Sequence, residues 1–387
     1  MRKRIFLVAG GYPPGYKSGG PVRSIVNMVD WLGDEYDFYI MALDRDTGDK
    51  QPFPGIEVGR WQQVGKAQVI YLPMRQLSLM QWREILISQS YDLIYQNSYF
   101  DPGSLKTVFL WRTHMIPHKP LILSPRGEFA QGARSVKKQK KQMFIRASQL
   151  TRLHRHPQLH WHVTNQFEGE AIRELLGASP ANIHYAPNMP PKTNADTQNG
   201  GLKKDGITKL AFVARIVPVK NLDYALDILT TVTQPVQFDI YGPVEDSAYW
   251  QQCEAKMANL PAHIQAHYCG VLAGDQVIDS LAEYHGLLLP TRSENFGHSI
   301  LEALTAGCLP IISDQTPWRN LVDEQVGWDM PLDQPEQFKQ AIERLIAMDD
   351  ATWQQWSANA RDKARRFATE SGVIEQTRQM FDTLLNT

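Results

Sequence analysis

Residues 286–314 read Gly286-Leu-Leu-Leu289-Pro-Thr-Arg-Ser-Glu294-Asn295-Phe296-Gly297-His298-Ser299-Ile-Leu-Glu302-Ala-Leu-Thr-Ala-Gly307-Cys-Leu309-Pro-Ile-Ile312-Ser-Asp314. Leu287 to Leu289 is too short for a helix and lacks polar alternation, the pattern of a parallel strand covered on both faces, and Leu309 to Ile312 repeats it. Between them the sequence predicts a helix that Ser299 starts and Gly307 ends. Strand, loop, helix and strand in that order form the repeating unit of a doubly wound α/β sheet, where ligands bind at the carboxyl ends of the strands. The loop carries Glu294, and Glu302 follows near the helix start, so both carboxylates are expected at one crevice. Each has a plainer reading. Ser299-x-x-Glu302 is also a capping box, and Glu294 is equally a solvated loop acid.

Working outward, 387 residues exceed the size at which one hydrophobic core stops growing, so two domains are expected. The 40 Lys and Arg nearly cancel the 41 Asp and Glu, which argues against a dedicated nucleic-acid binder and for a small-molecule partner. Cys253, Cys269 and Cys308 are widely spaced and read as reduced core thiols, with neither a disulfide framework nor a zinc site. The start, Met1-Arg-Lys-Arg-Ile-Phe-Leu-Val-Ala-Gly10-Gly, predicts a first strand and no signal peptide. Nowhere do about 18 apolar residues follow one another, so no membrane-spanning helix is expected.

That first strand leads through a glycine- and proline-punctuated loop into an amphipathic helix predicted from Val22 to Leu32. Gly19-Gly20-Pro21 stands at its N-terminus, where glycines permit close backbone approach and the free N–H groups favour phosphate; an empty flexible turn is the alternative. Strands near Phe38–Ala42, Val69–Tyr71, Leu93–Gln96 and Leu121–Leu123 complete a first Rossmann-like half. The loops with Asn97 and with Ser124-Pro-Arg126-Gly-Glu128 lie at carboxyl strand ends and border its crevice. Arg126 and Glu128 read either as polar ligands facing that crevice or as a solvated loop pair. Residues 134–155 are strongly basic with apolar residues interleaved, which fits an anionic membrane surface as well as an ordinary solvated helix face. His160 and His162 alternate on one face of a predicted strand without nearby carboxylates, so no metal is expected there.

Residues 191–206 read as a linker. A second Rossmann-like half then opens with strand Lys209–Ala214 and a turn flanked by Arg215 and Lys220, a planar fork and a point charge suited to a diphosphate, or else two surface cations. Strands at Phe238–Tyr241, His267–Gly270 and Gly286–Pro290 follow, and residues 335–387 are predicted helical.

Ser-Glu294-Asn-Phe-Gly-x-x-x-x-Glu302-Ala, followed by Pro-x-Ile-x-Ser-Asp, resembles the paired-glutamate signature of retaining glycosyltransferases of family 4, and Arg215-x-x-x-x-Lys220 resembles their diphosphate-binding element, with Ala214 and Asn221 where glycines are usual. Ser-Pro-Arg126-Gly-Glu128 resembles a segment of bacterial polysaccharide members. The resemblance implies the GT-B fold: two Rossmann-like doubly wound parallel-sheet domains facing a central cleft, here 1–190 on the acceptor side and 207–366 on the nucleotide-sugar side, with a helix at 367–387 returning to the first. It implies a metal-independent, retaining transfer with no cofactor, from a UDP- or GDP-sugar to a hydroxyl of a glycan or lipid-linked saccharide, in a cytoplasmic enzyme peripheral at the inner membrane face. By position, Glu294 would contact the donor sugar, with Arg215 and Lys220 holding the diphosphate. Glu302 would hold the ribose, Gly19 and Gly20 would face the phosphates, and Gly270 and Val271 would face the base. Asn295, Phe296, Gly297, His298 and Ser299 would complete the donor site, with Asn97, Arg126 and Glu128 on the acceptor side. A phosphorylase on the same scaffold, and a sugar-nucleotide-binding protein without activity, are the alternatives.

Overall fold

A computed structural model describes residues 2–17, 19–46, 48–129, 145–146, 149, 156–192 and 206–386. The basic segment 134–155 therefore lies outside the described residues except at Ile145, Arg146 and Gln149, as does most of the 191–206 linker. The chain forms two units, Met1–Lys192 with Gly372–Thr387, and Thr193–Ser371.

In the first unit, β1 (Lys3–Val8), β2 (Tyr36–Leu43), β3 (Trp61–Val64), β4 (Ala67–Leu72), β5 (Leu93–Asn97), β6 (Leu121–Ser124), β7 (Leu159–Val163) and β8 (Ile183–Tyr185) form a sheet ordered β3-β4-β2-β1-β5-β6-β7-β8. Its pairings are parallel except β3 with β4. Alternate residues of β1 feed two cores: Phe6 and Val8 join Trp82, Trp111 and Trp161 on one face, while Ile5 and Leu7 join Ile25, Met28 and Leu32 on the other. β3 carries no signal in the sequence, because Trp61-Gln-Gln-Val64 is short and half polar and gains strand geometry only by pairing with β4.

The helix Val373–Leu385 belongs to this unit. Phe381 meets Tyr36 edge-on at 5.5 Å, the Tyr36 hydroxyl donates to Asp382 Oδ1 at 2.6 Å, and Arg378 grips Glu35 through Nε and Nη2 at 2.7 and 2.8 Å. The returning segment begins past residue 367, because the preceding helix, Asp350–Glu370, keeps Phe367 in the second unit at 5.2 Å from Trp318 and 5.9 Å from Phe296.

In the second unit, β9 (Thr208–Val213), β10 (Val236–Tyr241), β11 (Ile264–Tyr268), β12 (Gly286–Leu289), β13 (Leu309–Ser313) and β14 (Trp328–Met330) form a parallel sheet ordered β11-β10-β9-β12-β13-β14. Every residue of β12 and β13 is buried, as uninterrupted apolar runs between two helix layers require. Cys253 and Cys308 lie in this unit buried, but Cys269 is exposed just past β11, so the expectation of three core thiols fails there. Among the described residues no helix is long and apolar enough to cross a membrane.

Candidate functional site

In the second sheet the connections from β9 run one way, to β10 and β11, and those from β12 run the other, to β13 and β14. The loops after β9 and β12 therefore leave a topological switch point side by side, where open α/β sheets form ligand crevices. Hydrogen bonds stitch them together. Arg292 N–H donates to Val219 O at 2.8 Å, the Thr291 hydroxyl to the same oxygen at 3.0 Å, and Asn221 Nδ2 to Pro290 O at 2.9 Å. Asn221 Oδ1 in turn accepts from Arg292 Nε at 2.8 Å. Asn221 stands at φ 62°, ψ 37°, a left-handed conformation that asparagine tolerates better than other side chains, so it takes the place of a glycine and adds two hydrogen bonds.

In the corner so formed, Lys220 Nζ and Glu294 Oε2 make a close ion pair, with side chains only 13% and 15% exposed. Arg215 is held elsewhere. Its Nη1 lies 2.8 Å from Glu245 Oε2, on the loop after β10, and both side chains are well exposed. Each cation expected to serve one diphosphate thus has its own carboxylate. Sequence reasoning missed Glu245, although its place at a carboxyl strand end was a usable signal.

The helix after this loop spans His298–Ala306, with Gly297 as its N-cap at φ 82° and no side-chain cap. A Cβ on Gly297 would meet Ile300 Cδ1 at 2.8 Å and Glu294 Cγ at 3.2 Å, so this left-handed, crowded position calls for glycine. The turn starts the helix before Ser299, which therefore does not cap it, and the capping-box reading of Ser299 and Glu302 is overturned. Glu302 is buried at 4% exposure. Phe296 is buried too, with His298 edge-on at 4.8 Å and its carbonyl accepting from Trp318 Nε1 at 2.6 Å, while Glu294 N–H donates to Gln315 O at 2.9 Å. Phe296 thus anchors the loop, and Asn295, His298 and Ser299 are half-buried around it. Gly270, at φ 81° beyond β11, accepts at its carbonyl from Gly242 N–H at 2.8 Å, beside the half-buried Val271.

The first sheet has its own switch point, between β1 and β5. The loop after β1 is pinned where Tyr16 and Lys17 N–H groups donate to the buried Asp46 carboxylate at 3.1 and 3.3 Å. It ends at Gly19, φ 63°, the N-cap of a helix that begins at Gly20 and has no side-chain cap. At the ends of β5 and β6, Arg126 donates through Nε to Asn97 Oδ1 at 2.9 Å and through Nη2 to the Tyr95 hydroxyl at 2.8 Å, and its Nη1 contacts Asn188 Oδ1. Glu128 accepts from the Ser98 hydroxyl and Tyr99 N–H, both at 2.6 Å, and from Phe100 N–H at 3.2 Å. These two residues build the rim of the first sheet rather than standing as a solvated pair.

Beneath them lies Glu168, which the sequence reading passed over. It is 4% exposed and accepts from Gly127 N–H at 2.5 Å, Thr164 N–H at 3.1 Å and the Thr164 hydroxyl at 3.3 Å. Burial pushes its carboxyl up, opposed by those N–H donors and by Arg126. His162 is buried between the Tyr95 hydroxyl, 2.6 Å from Nδ1, and Ala186 O, 2.8 Å from Nε2, and burial with Arg126 nearby lowers it to about 3. His160 turns instead to His184, Nδ1 to Nε2 at 3.1 Å. Among the described residues no group of three or more His, Cys, Asp or Glu is arranged to hold a metal ion.

Residues 194–363 match the family model described as glycosyl transferases group 1. No curated protein sequence matches the chain. Among solved structures, sucrose-phosphate synthase from Thermosynechococcus elongatus aligns over 100% of both chains at TM-score 0.72 and 15% identity. Anabaena HepE in complex with UDP and glucose aligns over 100% of both chains at TM-score 0.67 and 15% identity. WaaG, a glycosyltransferase involved in lipopolysaccharide biosynthesis, aligns over 97% of this chain and 99% of its own at TM-score 0.62 and 12% identity. The chain thus has the GT-B fold of these neighbours, and its sequence match to the glycosyl transferases group 1 model is confined to residues 194–363.

Proposed function

We propose that the chain is a retaining, metal-independent glycosyltransferase of the family 4 type, moving a sugar from a nucleotide sugar to a hydroxyl of a glycan or lipid-linked saccharide in bacterial surface polysaccharide biosynthesis. The observation that carries this reading is the covered Lys220–Glu294 pair at the β9/β12 switch point, at the positions where the family signature places a diphosphate cation and a sugar-contacting carboxylate. In the reaction, the bond from the anomeric carbon to the diphosphate oxygen breaks and a bond to the acceptor oxygen forms on the same face. The acceptor proton passes to the leaving phosphate. The growing negative charge on the diphosphate falls to Lys220, Arg215 and the main-chain N–H groups near Gly297 to Ser299.

A UDP-sugar is the proposed donor, in keeping with the UDP held by HepE, and a GDP-sugar is the competing choice. The basic stretch 134–155 is the proposed contact with the inner membrane face. The test is release of nucleoside diphosphate from panels of UDP- and GDP-sugars in the presence of saccharide acceptors, with and without excess chelator. Transfer with retained anomeric configuration, undiminished by chelator, is the expected result. Inverted product, or activity lost in chelator and restored by a divalent ion, overturns the mechanism.

A further inference from the structure

A cavity of about 440 Å³ opens in the first unit at the amino-terminal ends of β1, β5, β6, β7 and β8, the sheet edge opposite the loops described above. Lys3, Lys119, His118, His160 and His184 line it, with Asp92 as the carboxylate among the lining residues. Asp92 Oδ2 accepts from Arg4 N–H at 2.9 Å, and its single negative charge is outnumbered by the two lysines. Pro120, Pro157, Leu384 and Leu385 supply apolar wall, and the last two come from the end of the helix Val373–Leu385. Lys3 Nζ donates to Leu385 O at 3.3 Å, which leaves the rest of its donor capacity unspent by that bond.

The histidines add directional donors. His160 and His184 share one hydrogen bond, and both rings line the cavity. Whichever ring donates, the other accepts at its bonded nitrogen and, being neutral, carries its own proton on the far nitrogen. The pair therefore always offers one further N–H. Burial lowers both imidazoles, His160 to about 4, so the positive charge at the cavity comes from the lysines while the rings act as neutral donors. The His118 ring, stacked on Trp111 at 4.6 Å, forms a further part of the same wall.

We propose that this cavity binds a small phosphate-bearing anion, the phosphate seated among Lys3, Lys119 and the three histidines and the body of the ligand against the prolines and leucines. Compact oxyanions match two lysine point charges with fixed N–H donors, and the volume exceeds what inorganic phosphate alone needs, which favours a phosphate monoester. The wall formed by Leu384 and Leu385 means that occupancy tightens the end of the last helix. This site does not rest on the proposed sugar transfer.

The experiment is an NMR titration of the full chain with inorganic phosphate and, separately, with glucose 6-phosphate, in saturating UDP so that any nucleotide crevice is filled. Ring protons of His118, His160 and His184 are followed together with hydrogen exchange of residues 373–385. Saturable shifts of the three rings, slower exchange of the helix and tighter binding of the ester than of phosphate are expected. Lys3→Gln with Lys119→Gln, both exposed and tolerant of change, should weaken binding about tenfold through loss of charge-assisted bonds, with UDP affinity unchanged. His184→Gln should weaken it as well. No saturable shift, or equal binding by the double lysine variant, overturns the proposal. Perturbation of His160 and His184 by zinc ions but not by phosphate would make the pair a metal chelate and overturn it too.

Discussion

Lys220 and Glu294 lie 74 positions apart and meet as a close ion pair in which neither side chain is more than 15% exposed. A pair so covered behaves unlike a surface salt bridge, because removing one partner leaves the other charge partly desolvated. Lys220→Met should cost about 1–3 kcal/mol of stability in denaturant unfolding and abolish most turnover. Adding Glu294→Gln should restore much of the stability and none of the activity. Full turnover in Lys220→Met, or a double variant no more stable than the single, would separate this pair from the chemistry.

Arg215 and Glu245 form the contrasting case, well exposed and therefore weakly coupled, on the order of 1 kcal/mol or less. If a diphosphate takes Arg215, Glu245 is a competitor and a repelling charge. Glu245→Gln should lower KM for the donor by roughly two- to fivefold at low salt with little change in unfolding midpoint, and the gain should shrink as salt screens it. A raised KM would instead make Glu245 a positioning residue for Arg215.

For Glu302, capping is excluded as a role because the helix starts at His298 after Gly297. Glu302→Gln keeps the shape and removes the charge. It should reduce kcat/KM for the donor about ten- to a hundredfold, the worth of a charged acceptor on ribose hydroxyls, while the unfolding midpoint stays in place. Wild-type donor kinetics would remove Glu302 from the site.

His162 gives a pH signature. Folded, it stays neutral down to about pH 3, whereas in the unfolded chain it takes a proton below about 6.5. Between those values the unfolded state binds more protons, so stability falls as pH falls, by up to about 1.4 kcal/mol per pH unit from this residue. His160 and His184, also lowered, act with the same sign, while the raised Glu168 acts against it. Unfolding free energies of His162→Gln from pH 6 down to about 4 should show a slope smaller by about one proton than the wild type. An unchanged slope would mean that His162 is protonated in the fold.

The strands with uninterrupted apolar runs, β12 and β13, and the glycine that ends the helix His298–Ala306 were legible in the sequence, because burial on both faces and a left-handed stop each demand particular residue types. The motif residues Glu294, Glu302, Arg215 and Lys220 were legible as well, by type and by their place at strand ends. What pairs with them was not. That Lys220 meets Glu294 while Arg215 meets Glu245, and that Asn221 clasps Arg292 and the Pro290 carbonyl, depends on which strands become neighbours, and nothing local encodes the adjacency of β9 to β12, which brings together Thr291 and Val219, 72 positions apart. The capping-box reading failed because the left-handed Gly297 moved the helix start, a backbone angle that Ser299 does not reveal. Glu168 and His162 escaped notice because a carboxylate in a polar helix and a histidine in a strand look ordinary until burial strips their water. Local chemistry thus named the elements and the candidate side chains, and long-range packing decided the solvent exposure and charge pairing of each.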